Sequence, residues 1–97
     1  MPDLESRLTR YATRIPPGEE RAAREAVDHL REALAAGTVR AATRDEAGTW
    51  HANAWVKAGI LLGFRLGVVV PVAGQEGFPF FDKDTFPLRR FRITDGV

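Results

Sequence analysis

The sequence predicts a small α/β domain of the α+β kind, with about three helices, short β-hairpins and an extended C-terminal arm. Three observations predict it. Apolar residues recur at helical spacing through the first 36 residues and again around residues 53–66. Short runs between and after these helices alternate at strand spacing, and five of the six phenylalanines fall with Pro79 and Pro87 in residues 78–97. A chain of 97 residues fits one domain, residues 1–97, and buries only about 60 to 65% of its unfolded surface, so its core has little to spare.

Leu4, Leu8, Tyr11 and Ile15 recur at steps of four, three and four behind a capping Asp3, which predicts a helix over residues 3–14, stopped by Pro16-Pro17-Gly18. A second helix over residues 19–36 places Ala23, Val27, Leu30 and Leu34 on one face. Glu20/Arg24, Arg21/Glu25 and Arg24/Asp28 are expected as i,i+4 pairs on its other face, with Gly37 as the C-terminal stop. Val39, Ala41 and Thr43 alternate with Arg40, Ala42 and Arg44, and after a turn at residues 45–48 a return strand covers residues 49–51. The third helix, residues 53–66, is apolar on nearly every side except at Lys57 and Arg65, so it is expected at the buried centre. Gly59 and Gly63 each cost it about 1 kcal/mol relative to alanine, which points to a neighbouring backbone packed close. Residues 68–72 suit a strand whose Pro71 faces an unpaired edge, since proline donates no ladder hydrogen bond. Residues 78–97 are rich in phenylalanine and broken by proline, and read as a docking arm or linker.

Composition narrows the function. Net charge is +1 from 14 basic and 13 acidic residues, so no strong field favours nucleic acid or an acidic membrane. The absence of cysteine removes disulfides and thiolate chemistry, and two histidines make a poor zinc site, so neither a metal nor a bound cofactor is expected. No apolar leader follows Met1, and the longest apolar run contains Arg65, three glycines and Pro71, which argues against a membrane span. A cytoplasmic location is expected. Leu66-Gly67 and Val72-Ala73 share a six-residue spacing, but two matches do not make one coil of a left-handed β-helix, and none is expected here.

Chemistry is not written in any general motif: there is no phosphate-binding loop, dinucleotide fingerprint or HExxH, and no catalytic residue is assigned. Trp50 and Trp55 are expected to fill the core. Lys57 and Arg65, eight residues apart and about 80° apart around the helix, can reach one carboxylate-bearing group, the alternative being that they extend to solvent or pair with Asp82 or Asp84. Arg89-Arg90-Phe91-Arg92 is basic with an interleaved aromatic, yet Asp82, Asp84 and Asp95 flank it, which argues against a nucleic-acid site. His29 and His51 have no nucleophile at a telling spacing.

One stretch is more specific. Residues 37–65 carry Gly-x-Val-Arg-x-Ala, then Trp50, Trp55-Val56-Lys57, Ile60-Leu61-Leu62 and Phe64-Arg65, and Phe81-Asp82-Lys83 follows later. These elements resemble the N-terminal domain of the tetrahydrodipicolinate N-succinyltransferases. The resemblance implies a homotrimeric family that transfers succinyl from succinyl-CoA, its cosubstrate, to the amino group of ring-opened tetrahydrodipicolinate on the way to diaminopimelate and lysine. It also implies that an N-terminal domain of about this length precedes a left-handed β-helix, where the acidic catalytic residue and the coenzyme A groove lie. This chain resembles only the first part. A substrate-binding arginine of the family falls in a Phe-Arg-Val-Val-Pro stretch, whose counterpart here is Phe91-Arg92-Ile93 without the Val-Pro. Asp84-Thr85-Phe86 and one extra residue in the hairpin turn also depart from the pattern. The candidate site residues are therefore Arg92, Lys57 and Arg65 for substrate. For docking onto a β-helix catalytic domain they are Phe78, Phe80, Phe81, Phe86 and Phe91. A free-standing module binding a small dicarboxylate or a partner protein is the competing expectation.

Overall fold

The structure is a computed structural model that describes residues 3–72, 80–89 and 91–96, and it has the predicted α+β architecture. Helix α1 (Leu4–Thr13) starts where the Asp3 carboxylate accepts the Ser6 amide at 2.8 Å, satisfying one of the free donors of the first turn. Helix α2 (Glu20–Ala36) ends at Gly37, whose left-handed φ of 77° turns its N–H back to the carbonyls of Ala33 and Leu34. Strand β1 (Ala42–Arg44) pairs antiparallel with β2 (Trp50–Ala52), and helix α3 (Ala54–Leu66) follows. Strand β3 (Val69–Val72) pairs antiparallel with β4 (Phe80–Lys83), and Ile93–Asp95 form a 3₁₀ turn. Each strand pair is a separate two-stranded sheet. Among the described residues no helix is long and apolar enough to cross a membrane.

The three helices pack on one another, and the core lies between them. Leu8 and Tyr11 come from α1, Ala23, Ala26, Val27 and Leu30 from α2, and Val56 and Leu62 from α3. Small residues set the helix spacing: a Cβ on Gly59 would sit 2.6 Å from Leu30 Cδ2 and 3.0 Å from Leu8 Cδ1. One on Gly63 would sit 2.6 Å from Cζ of Phe86. The close neighbours of these glycines are thus side chains, where the sequence suggested a backbone.

Four other expectations change. Trp50 is 66% exposed, because the β1–β2 ladder has three residue pairs and Trp50, opposite Arg44, ends it away from the helices. Trp55 does pack against the core. Within α2 the ion pair formed is Asp28–Arg31 at 3.5 Å, since Arg24 is drawn off the helix surface to Asp84, 60 residues away in sequence, at 3.2 Å. Helix α3 buries Val56, Gly59, Leu62 and Gly63 but leaves Leu61 and Phe64 half exposed, so it is central on one side only. The start of the predicted arm is not a free extension: Phe80–Lys83 is strand β4, with Pro71 opposite Phe81, and Thr85 behind it is buried.

The tight seat of Phe86 over Gly63 is testable. Gly63→Ala gains about 1 kcal/mol of helix propensity and loses roughly 1–3 kcal/mol to overpacking. A net destabilisation of about 1 kcal/mol is expected as a lower urea midpoint, and the same change in a Phe86→Ala background is expected to be neutral or stabilising. A raised midpoint with Phe86 present would show that the ring does not occupy this position.

Candidate functional site

Helix α3 has no side-chain cap at Asn53, and that residue instead ties the first hairpin to the helix. Its Nδ2 donates to the Arg40 carbonyl at 2.7 Å and its backbone N–H to that of Ala41 at 2.8 Å. The hairpin is thereby held beside the first turn of α3. Ala41 and Ala52 face Lys57, Ile60 and Leu61 across an apolar groove of about 430 Å³. One turn on, Leu61 borders a second groove of about 260 Å³ with Ala12 and Arg65. Lys57 and Arg65 therefore occupy two grooves separated by Leu61 and are not gathered around one point. Arg65 is engaged: its Nη2 donates to the carbonyls of Ala12 at 2.9 Å and Tyr11 at 3.4 Å, a basic cap on the C-terminal end of α1. Neither residue pairs with Asp82 or Asp84 among the described residues.

The opposite end of α3 is built from long-range donors. Gly63 O accepts the Gly67 N–H at 2.9 Å, whereas the Leu66 and Gly67 carbonyls lie past the last helical N–H, and each of the three meets a side-chain donor. Thr85 Oγ1 donates to Gly63 O at 2.8 Å, Lys83 Nζ to Gly67 O at 3.2 Å, and Arg24 Nη2 to Leu66 O. Asp84 closes the cluster by accepting the Val68 N–H at 2.8 Å and pairing with Arg24. Arg24 was invisible as a functional residue in the sequence, where it reads as one of several surface charges on α2.

This cluster positions the candidate docking residues. Phe86 is half-buried against Phe64, with ring centroids 4.9 Å apart, and serves the domain itself. Phe80, Phe81 and Phe91 are exposed, together with Val68, Val69, Leu88 and Ile93. Phe81, Pro71 and Val69 share one exposed face of the β3–β4 sheet. Arg92 is exposed beside Phe91, whose ring carries the Arg89 guanidinium at 5.1 Å. Phe78 and Arg90 lie outside the described residues.

The histidines have partners of another kind. His51 Nε2 donates to Asp45 Oδ2 at 2.6 Å across the hairpin turn, and this bond, aided by the Thr49 N–H, lowers the Asp45 pKa. His29 Nδ1 accepts from Arg7 at 3.0 Å in a groove between α1 and α2. Both contacts are exposed and join neighbouring structural elements.

Asp84 gives a pH test. The Val68 N–H first, and then Arg24, hold its carboxyl below the ordinary value of 3.8. A carboxyl lowered in the folded state contributes stability that is complete above its unfolded pKa and is lost as pH falls through the folded one. Asp84→Asn is expected to lower Tm near neutral pH and to flatten its fall below about pH 4, with Asp3 and Asp45, shifted the same way, accounting for the remaining slope. An unchanged acid limb would mean that Asp84 makes neither contact in solution.

The family model described as tetrahydrodipicolinate N-succinyltransferase N-terminal matches residues 5–66, from α1 to the end of α3. Among characterised proteins, the 2,3,4,5-tetrahydropyridine-2,6-dicarboxylate N-succinyltransferase of Leptothrix cholodnii is 48% identical over 62 residues, covering 64% of this chain and 22% of that enzyme. The enzyme of the same name from Histophilus somni is 34% identical over 103 residues, covering 97% of this chain and 38% of its own length. That of Polynucleobacter asymbioticus is 38% identical over 72 residues, or 74% of this chain and 26% of the enzyme. The chain thus spans between about a fifth and two fifths of the length of these relatives. With the helices, the first hairpin and the Trp55-Val56-Lys57 turn of α3 all inside the matched region, the chain belongs to the tetrahydrodipicolinate N-succinyltransferase family, in which it corresponds to the N-terminal region.

Proposed function

We propose that this chain is the non-catalytic N-terminal domain of a tetrahydrodipicolinate N-succinyltransferase, docked through its C-terminal hairpin and the residues after it onto a β-helix catalytic portion. Succinyl transfer from succinyl-CoA to the amine of ring-opened tetrahydrodipicolinate, a step toward diaminopimelate and lysine, takes place on that portion in a cytoplasmic homotrimer. Acyl transfer needs a base for the amine, donors for the thioester oxyanion and a groove for the pantetheine arm, and in this reading the β-helix supplies all three. In this reading Arg92, exposed next to Phe91, is the candidate substrate contact of this chain.

The observation that carries this reading is the apolar surface left uncovered at the C-terminal end. Phe80, Phe81, Leu88, Phe91 and Ile93 are all more than half exposed, as are Val69 of β3 and Val68 just before it, with Phe81 and Val69 on one face of the sheet and Phe80 on the other.

The test mixes the chain with the Leptothrix cholodnii enzyme lacking its matching N-terminal region and follows coenzyme A release from succinyl-CoA with tetrahydrodipicolinate present. Release is expected only on mixing, and Phe81→Ser is expected to weaken the association at least about tenfold while leaving helix content unchanged. Turnover by the chain alone, or failure of the two parts to bind, would overturn the reading.

A further inference from the structure

The outer face of α3 carries a second apolar feature, apart from the C-terminal hairpin. Ala54, Lys57, Ala58, Leu61 and Arg65 recur at helical spacing on the side turned away from the core, and Leu61 is 52% exposed at the middle of the row. Leu61 borders two grooves on this face, about 430 Å³ with Lys57 and about 260 Å³ with Arg65, which form a trough divided by its side chain. The trough ends in a cation on each side. Lys57 and Arg65 stand about 12 Å apart along the axis, eight residues at 1.5 Å each. Among the described residues neither has a carboxylate within ion-pair distance. Arg65 uses Nη2 on the α1 carbonyls, which leaves the N–H groups of Nε and Nη1 for a ligand.

The charges decide what fits. A second copy of the chain packed antiparallel across Leu61 would set Lys57 against the partner's Arg65, because the two are equidistant from Leu61 in sequence. A parallel pairing would set Lys57 against Lys57. Both put like charges together over an apolar contact, an arrangement that selects against self-association. A helix with the opposite charges fits: two carboxylates eight residues apart repeat the 12 Å spacing, and apolar side chains one turn apart between them straddle Leu61 as ridges enter grooves.

We propose that the α3 trough is a docking site for an acidic amphipathic helix of a partner protein, read by Lys57 and Arg65 at its ends and Leu61 at its centre. The inference rests on α3 and its flanks alone and holds whichever portion the C-terminal hairpin docks.

The probe is a fluorescein-labelled alanine-based helical peptide of about 18 residues, with glutamates at i and i+8 and leucines at i+1, i+4 and i+5. Saturable anisotropy change with the 97-residue chain is expected. Replacing both glutamates by lysine is expected to weaken binding about tenfold or more, and Lys57→Glu in the chain to reduce that preference. Leu61→Glu and Leu61→Ser are expected to abolish binding without loss of helix content, since the side chain is half exposed. Equal affinity for both peptides, or binding untouched by the Leu61 variants, would overturn the proposal. So would sedimentation showing a dimer of the chain that Leu61→Glu dissociates. Leu61→Ser is expected to leave coenzyme A release in the mixing experiment unaffected, so the two readings fail separately.

Discussion

The C-terminal end of α3 holds the molecule together. A helix end exposes carbonyls that need donors, and α3 ends inside the protein, where water serves them poorly. Thr85, Lys83 and Arg24 supply those donors from three places in the sequence, and Asp84 joins Arg24 to the Val68 amide. Each bond contributes on the order of 1 kcal/mol, but leaving the carbonyls unmet would cost more. The same bonds seat the second hairpin on the helices and place Phe86 over Gly63. Gly67 follows from this crowding, since a Cβ there would lie 2.6 Å from Thr85 Oγ1 and 2.8 Å from Lys83 Cβ.

Local features were legible in the sequence. The caps at Asp3 and Gly37 depend on residues within one turn, and the period of Ala23, Val27 and Leu30 fixes which side of α2 is buried. What depends on distant residues was not legible. Arg24 had Glu20 and Asp28 as near neighbours of opposite charge, and only the folded chain brings Asp84 closer. Trp50 has the composition of a core residue, but its fate was set by how far a three-pair ladder extends beyond the helices. The apolar character of α3 was read as burial all round, while two helices and two short hairpins cover only part of its circumference.

Of the candidate site, the residues were legible and their grouping was not. Lys57 and Arg65 are the polar positions of an apolar helix, a pattern visible at once, but the side chain between them determines that they act at two points. The exposed phenylalanines were legible as surplus apolar surface, except for Phe86, which the domain uses itself. The surface is divided accordingly, with one apolar region along α3 bounded by cations and another on the second hairpin.

The Arg24 contacts that hold the second hairpin span 42 and 60 residues, and the Arg65 contacts between α3 and α1 span 53 and 54, so loop closure costs both alike. Burial separates the two: no residue of β3 or β4 is buried, whereas α1, α2 and α3 share the core. An element with few buried side chains opens at low free-energy cost, ahead of the helical core. The segment bearing the largest uncovered apolar surface is thus the one that can loosen and adjust while the helices stay folded.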